Sequence, residues 1–170
     1  MVELALAAVI LITLAIGTME MGLAWNDSQL VTQATRSGAR GATQLGQDPA
    51  ADSFTVASIE ATLGSLGTQV TRIVIYEAND PTGAMPAACE TAGPPGVAGN
   101  CSVYDASDFG TYGSWVDGLW TPAERSNSFD GADYIGVRVE LERPYVTGLF
   151  GTSPLSISDT TVMRIEPNAD

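Results

Sequence analysis

Residues 4–25 read LALAAVILITLAIGTMEMGLAW, and this stretch decides the fold. It is 22 residues long and carries a single charge, that of Glu20. A helix of this length rises roughly 33 Å at about 1.5 Å per residue, which matches the hydrocarbon thickness of a bilayer. A cleaved secretory signal would instead need a basic start and an apolar run of only about 7–15 residues before a small-residue cleavage site. The stretch therefore predicts a membrane-capable helix.

The predicted helix continues beyond the apolar stretch. The first proline is Pro49, and residues 2–46 contain no helix breaker except isolated glycines, so we expect one helix to about residue 45. After residue 25 the sequence is polar, with one apolar stripe near helical spacing formed by Leu30, Val31, Ala34, Gly38, Ala42 and Leu45. A plain anchor with a linker would instead show a Gly/Ser-rich or Pro-rich tether. We predict a helix over residues 1–46 whose second half packs on a head domain over residues 47–170.

The head carries the signals of mixed secondary structure. Apolar residues between positions 54 and 66 recur at helical spacing, with Asp52 or Ser53 suited to cap this short helix and Gly67 suited to end it. β-Branched and aromatic residues predict three strands, at 69–76, 134–141 and 155–165. Residues 79–133 are rich in Gly, Pro, Ser and Asp and predict a long ordered loop region. Because strands and helices do not alternate regularly, we expect an α+β fold in which the long helix packs on a small antiparallel sheet.

The composition excludes several classes of function. The 170 residues suit one domain, or one domain with an appendage, and they carry 20 acidic side chains against 7 basic ones, a formal net charge of -13. All the basic residues are Arg, and the sequence has no Lys and no His. So acidic a surface repels phosphate backbones, which argues against nucleic acid as a partner. The lack of His excludes the usual hydrolase triads and most zinc sites. We therefore expect a protein that is not an enzyme and uses no cofactor or metal.

Cys89 and Cys101 are the only cysteines, and they flank an eleven-residue Gly/Pro-rich stretch. A metal or redox pair is the functional alternative, but no other Cys or His exists to complete a zinc site, and the spacing is not that of a redox Cys-x-x-Cys. We predict a structural disulfide, which places the head in an oxidising compartment outside the cytoplasm.

Acidic residues cluster twice in the loop region, as Asp105 with Asp108 and Asp117, and as Asp130 with Asp133. Calcium binding is one interpretation, since hard cations take several oxygen ligands. The clusters do not match the twelve-residue EF-hand pattern, and loop solvation with Asx-turns is the favoured interpretation.

Two carboxylates interrupt the apolar half of the helix. An unpaired Glu3 carboxylate would carry a high free-energy cost in hydrocarbon. The nearest basic side chain is Arg36, about 50 Å along the helix, so we expect an α-amino group as its partner, from the same chain or a neighbouring copy. Glu20 is expected at the opposite membrane interface, in water. Five small residues would let neighbouring helices approach closely: Ala5, Ala8, Ala15, Gly17 and Gly22.

Several segments together resemble the TadE-like pilins of tight-adherence (Tad) systems. They are the start VELAL at 2–6, the acidic GTMEMG at 17–22 and the run ATRSGARGA at 34–42. The segments ADYIGVRVE at 132–140 and VMRIEP at 162–167 resemble the strands that close such proteins. The resemblance covers roughly residues 1–46 and 132–167 and leaves the middle unplaced.

The resemblance implies a pilin-like subunit of the type IV filament superfamily. Residues 1–46 would form a transmembrane and then filament-core helix, with Glu3, Glu20 and the small residues serving assembly. It further implies that a prepilin peptidase removes a leader at the inner membrane. The pilus assembly machinery would then add copies of the chain to an extracellular, cell-surface filament used in adhesion. In the superfamily the Glu usually stands fifth in the mature chain, whereas here it stands third, so the cleavage site stays open.

Two other interpretations also stay open. The chain could be a minor pseudopilin of the same system. It could also be a monomeric, membrane-anchored extracellular binding domain whose acidic loop region holds calcium or a ligand.

Overall fold

A computed structural model describes residues 2–78, 82–112, 115–148 and 151–167, without the side chains of residues 2 and 5. Within these residues the chain forms three α-helices and a five-stranded sheet. In chain order they are α1 (Val2–Leu45), α2 (Ala51–Leu63), β1 (Val70–Ala78), α3 (Ala87–Glu90), β2 (Gly96–Val97), β3 (Cys101–Tyr104), β4 (Tyr134–Arg143) and β5 (Leu155–Arg164). This arrangement confirms the α+β fold with a long N-terminal helix and an antiparallel sheet.

Helix α1 runs for 44 residues without interruption, as the absence of prolines before Pro49 predicts. It ends at Gly46, whose φ of +52° suits glycine and whose N–H donates to the carbonyl of Ala42 at 3.0 Å. A Cβ at Gly46 would also lie 3.2 Å from Cγ2 of Ile165, so the turn is tucked against the end of the sheet.

The sheet is antiparallel throughout, with strand order β2-β3-β1-β4-β5. The three strands that the sequence predicts are β1, β4 and β5, which lie side by side. The prediction that residues 79–133 form a loop region is wrong for two short segments, because β3 pairs with β1 and β2 pairs with β3. β3 has only four residues, all buried, and β2 has two, so neither is long enough to show a period.

Helix α2 differs from its prediction at the start. Neither Asp52 nor Ser53 caps it, since the helix begins at Ala51 with Ala50 in the cap position. Asp48 instead stabilises the turn before the helix, because its Oδ1 accepts a hydrogen bond from the N–H of Ala50 at 2.8 Å. Asp52 is buried in the first turn, where an arginine from a distant loop pairs with it. At its other end α2 tightens into a 3₁₀ helix over Gly64–Gln69.

Helices cover one face of the sheet, and a loop segment covers part of the other. Helices α1 and α2 pack on one face, where alternate residues of the central strands point into the main core: Ile73, Ile75, Ile135, Val137, Val139 and Leu141. The segment that contains α3 and β2 covers part of the other face, around Val74, Tyr76, Cys89, Cys101 and Val103. The second half of α1 is therefore a structural part of the head. The boundary between residues 46 and 47 stays a prediction.

Candidate functional site

The first half of α1 exposes the apolar residues that decided the fold. Ten large side chains along it are 59% to 78% exposed: Leu4, Leu6, Val9, Ile10, Leu11, Ile12, Leu14, Met19, Met21 and Trp25. The helix is long and apolar enough to cross a membrane, with mean hydropathy 2.0 and only 6% of its most apolar window buried. Fully burying such a side chain gains about 1.5–3 kcal/mol. An apolar surface of this extent requires a cover from outside the chain, either lipid or protein.

The small residues of this half differ in their surroundings. Ala8 and Ala15 are exposed, and a Cβ placed on Gly22 would meet no atom within 4 Å. Gly17 is half-buried and lines a small apolar hollow with Tyr145 and Leu155 of the head. The side chain of Ala5 lies outside the described residues. Ala8, Ala15 and Gly22 therefore lie on open helix surface, and their role in assembly stays a prediction.

Glu3 lies in the exposed first turn of α1. Its side chain forms no hydrogen bond or ion pair with the part of the chain that the structure describes, which leaves Met1 out. The expectation that an α-amino group neutralises it is untested in a single chain.

Glu20 is not hydrated, contrary to the expectation from sequence. Its side chain is only 3% exposed, and its Oε1 accepts both the backbone N–H of Thr147 at 2.7 Å and the hydroxyl of Thr147 at 2.8 Å. The connection between β4 and β5 crosses the helix at this level and covers the carboxylate. Its Oε2 has no hydrogen-bond partner among the described residues. Glu20 thus fixes the helix to the head.

Two further polar contacts join α1 to the sheet. Nε of Arg143 lies 2.6 Å from Oδ2 of Asp27, and both side chains are about nine-tenths buried. About two turns farther on, the hydroxyl of Thr35 donates to Oδ2 of Asp159 at 3.0 Å and accepts from Thr161 at 3.3 Å. We call Glu20, Asp27 and Thr35 the docking stripe.

The docking stripe explains why the first half of α1 projects in one direction. Its members are 7 and 8 residues apart, close to two helical turns each, so they lie on one side of the helix over roughly 22 Å. Sequence reasoning missed Asp27 and Thr35. The signal that could have found them is this spacing of polar residues next to the apolar stripe, although the partner in β4 or β5 has no local signature.

The predicted apolar stripe is confirmed in its centre. Val31, Ala34 and Ala42 are fully buried, and Gly38 is buried too. A Cβ on Gly38 would come within 2.8 Å of Ile59, so the glycine permits the close approach of α1 and α2. These contacts make the second half of α1 rigid relative to the head.

A buried ion pair organises the core of the head. Arg125 and Asp52 pair directly, and both side chains are completely buried. The hydroxyl of Tyr104 donates to Oδ2 of Asp52 at 2.8 Å, and the Arg125 guanidinium lies 4.6 Å from the centroid of the Trp120 ring. Burial raises the pKa of Asp52, while the charge of Arg125 opposes this. The cluster joins α2, β3 and the loop before β4, so it is a structural element of the head.

Cys89 and Cys101 are bonded, as predicted, with their Cα atoms 6.2 Å apart. The bridge connects α3 to the start of β3 and is fully buried on the sheet face opposite α1. It fastens the segment between β1 and β3, which otherwise contains little regular structure.

Four of the five acidic residues in the two loop-region clusters make local hydrogen bonds. Asp105 and Asp108 form a reciprocal capping box around a 3₁₀ turn, and Asp117 accepts the indole N–H of Trp115 at 3.0 Å. Oδ2 of Asp133 accepts the N–H of Ser126 at 2.6 Å. Across the described ranges, no group of three or more Asp, Glu, His or Cys residues is arranged to hold a metal ion.

Comparison with known proteins gives one family. The TadE-like protein family matches residues 1–40, which contain the apolar half of α1 and all three residues of the docking stripe. Comparison with curated proteins and with solved structures gives no match. The resemblance to TadE-like proteins is therefore confirmed over residues 1–40, and for residues 132–167 it stays a prediction. It associates the chain with Tad pili, and the exposed apolar helix fits a membrane-anchored pilus component.

Proposed function

We propose that this TadE-like, Tad pilus-associated chain is a structural subunit of a surface filament and polymerises through the first half of α1. The observation that carries the proposal is the contrast within one continuous helix. Its first half exposes ten large apolar side chains, while its second half is built into the head. A helix of this kind needs a partner along its whole apolar length, and a bundle of identical helices supplies one without any catalytic group.

The same helix suits storage in the inner membrane before assembly. The part of α1 before Glu20, where the β4–β5 connection meets the helix, rises roughly 27 Å over residues 2–19, which is close to the hydrocarbon thickness of about 30 Å. Lipid tails are as apolar as the side chains, so leaving lipid for a bundle gains free energy through close packing. Ala8, Ala15 and Gly22 offer the open, small surface that such packing uses.

Glu3 has a specific role in this proposal. Moving a helix N-terminus from the membrane surface into an apolar bundle buries a positive amine, which is costly without a counter-charge. Glu3 is the only acidic residue before Glu20, and its side chain points into open space in the isolated chain. We assign it to the amine of an adjacent subunit, in line with the type IV filament resemblance.

The remaining parts follow from the same resemblance. A prepilin peptidase would process the chain at the inner membrane, and the pilus assembly machinery would extract it into an extracellular filament. The acidic, disulfide-bonded head would form the outer surface, where adhesion takes place. The chain would act as a building block in many copies rather than as an enzyme.

The experiment compares Glu3→Leu with Glu3→Asp in cells that assemble the filament. Glu3→Leu should insert in the membrane at least as well as the native chain yet lose most surface filament, whereas Glu3→Asp should keep part of it. Immunoblotting of membrane and sheared surface fractions measures both quantities. Glu90→Leu, which removes an exposed carboxylate from the head, is the matched control. A normal quantity of filament from Glu3→Leu cells would show that the carboxylate has no part in assembly.

A further inference from the structure

Two arginines of α1 stand apart from the other five. Arg36 and Arg40 are exposed, and their guanidinium groups form no ion pair or hydrogen bond with the described residues. Each remaining arginine has a partner: Arg72 and Arg138 bind Glu140, Arg125 binds Asp52, Arg143 binds Asp27, and Arg164 binds backbone carbonyls. In a chain with 20 acidic residues, two cations left without an internal partner are available for an external one.

Arg36 and Arg40 share one groove. They lie one turn apart on the side of α1 next to α2, and they line a surface groove of about 470 Å³ together with Gln33, Ser37, Gln44, Phe54 and Ser58. Phe54 is 52% exposed and forms an apolar wall. Gly41 lets it lie close to α1, because a Cβ there would come within 2.9 Å of the Phe54 ring. The groove therefore combines two positive charges, several amide and hydroxyl groups, and one apolar side.

The position of the groove argues against lipid headgroups as its ligand. Arg36 lies 11 residues beyond Trp25, or roughly 16 Å along the helix. The headgroup layer extends only about 5–8 Å beyond the hydrocarbon core on each side. With the apolar stretch in the bilayer, both guanidiniums stand in the aqueous phase above the headgroups.

We propose that this groove docks an acidic loop on the head of a second copy of the chain. The inference rests on the proposed function, because it assumes that copies assemble. Charge complementarity selects the occupant: residues 1–47 carry three acidic and two basic residues, so the rest of each copy holds a net charge of -12. Exposed head carboxylates without an ion pair among the described residues include Asp130, Glu142 and Glu166. Packing such acidic heads side by side requires counter-charge, and the two guanidiniums supply it at the inner edge of each head.

The test uses the full chain with three variants. Arg36→Gln/Arg40→Gln removes both charges, Arg36→Lys/Arg40→Lys keeps them, and Arg164→Gln removes an exposed charge elsewhere as the control. Filament yield is measured by sedimentation and electron microscopy from about 0.01 M to about 1 M salt, over which the screening length falls from about 30 Å to about 3 Å. Circular dichroism of the unassembled chains checks folding, which the double Gln variant should preserve because neither side chain has an internal partner.

We expect the double Gln variant to lose at least about tenfold in filament yield at low salt and to show a weaker salt dependence than the native chain. The Lys variant should retain most of the yield, and Arg164→Gln should match the native chain. Equal yield and equal salt dependence of the native chain and the double Gln variant would overturn the inference while leaving the filament role intact. A native chain that forms no filament would overturn the filament role instead. A defect of the double Gln variant that occurs only when assembly starts from anionic vesicles, and not from neutral ones, would assign the arginines to lipid and overturn docking between copies.

Discussion

The first half of α1, which we call the protruding half, and the head differ in the side chains that they expose and bury. The first exposes ten large apolar residues, whereas the second buries Asp52 and Arg125 completely and covers Glu20, Asp27 and Arg143 almost as well. In the head, each buried charge has a partner within the chain, which is the condition for burial. In the protruding half, the apolar side chains have no such partner. The head therefore satisfies its buried groups within a single chain, whereas the protruding half needs contacts from outside the chain.

The two regions are also mechanically coupled. The docking stripe holds α1 to β4, β5 and their connection over roughly 22 Å of helix. The direction of the protruding half is therefore set by the head, so that in an assembly the position of the head and that of the helix are determined together.

The variant with the largest expected effect disrupts the proposed packing between the protruding halves of neighbouring copies. Gly22→Phe should reduce filament yield by more than about tenfold, because Gly22 lies on open helix surface, where the proposed filament would bring a neighbouring helix close. Gly17→Phe would be less informative, since Gly17 also faces Tyr145 and Leu155 of the head. Filament yield and head stability are measured together.

Gly93→Phe is the control for that variant. Gly93 lies on the head with no atom within 4 Å of an added Cβ and no unusual φ, so the same added bulk should leave assembly unchanged. Normal filaments from Gly22→Phe would place the helix contact on another side of α1.

The variant with the second-largest expected effect destabilises the head and leaves the protruding half unchanged. Arg125→Met should lower the free energy of unfolding by about 3–5 kcal/mol, because it leaves Asp52 buried without its counter-charge. Adding Asp52→Asn should recover much of this loss, since the amide can still accept from Tyr104. Denaturant unfolding of the three chains measures the difference. Equal stability of Arg125→Met and the native chain would show that the pair does not hold the head together.

The smallest effect concerns a partly exposed charge network on the outer face of the sheet. Burial opposes the ionisation of Glu140, but Arg72 and Arg138 outweigh it and lower the pKa of the carboxyl. A carboxyl whose pKa is lower in the folded state stabilises the fold above its unfolded pKa of about 4.3, and this contribution disappears as pH falls through the folded value. Glu140→Gln should therefore cost about 1 kcal/mol at neutral pH and nearly nothing in strong acid.

Unfolding of the native chain and of Glu140→Gln across this pH range provides the measurement. Only the difference between the two chains is informative, because other carboxyls also titrate there. A difference that stays constant with pH would mean that the side chain acts through packing and not through its charge.

The sequence predicted the parts of the fold that have a strong local period. The end of α1 at Leu45 and the strands β1, β4 and β5 agree within a few residues, because an apolar stripe or an alternating pattern extends over each. The pairing of Arg125 with Asp52, 73 residues apart, and of Arg143 with Asp27 has no such local signal. The exposure of Glu20 was predicted wrongly for the same reason. A carboxylate near the end of an apolar helix is compatible with an exposed and with a buried position, and only the β4–β5 connection, which has no local signal, buries it.

Helical reconstruction of native surface material by electron microscopy, with mass spectrometry of its subunit, tests the central claim most directly. The account predicts long filaments built of many copies of this chain, with residues 4–22 packed around the axis and the acidic heads outside. Dispersed single particles, or filaments in which this chain is a rare component or its apolar helix lies away from the core, would contradict it.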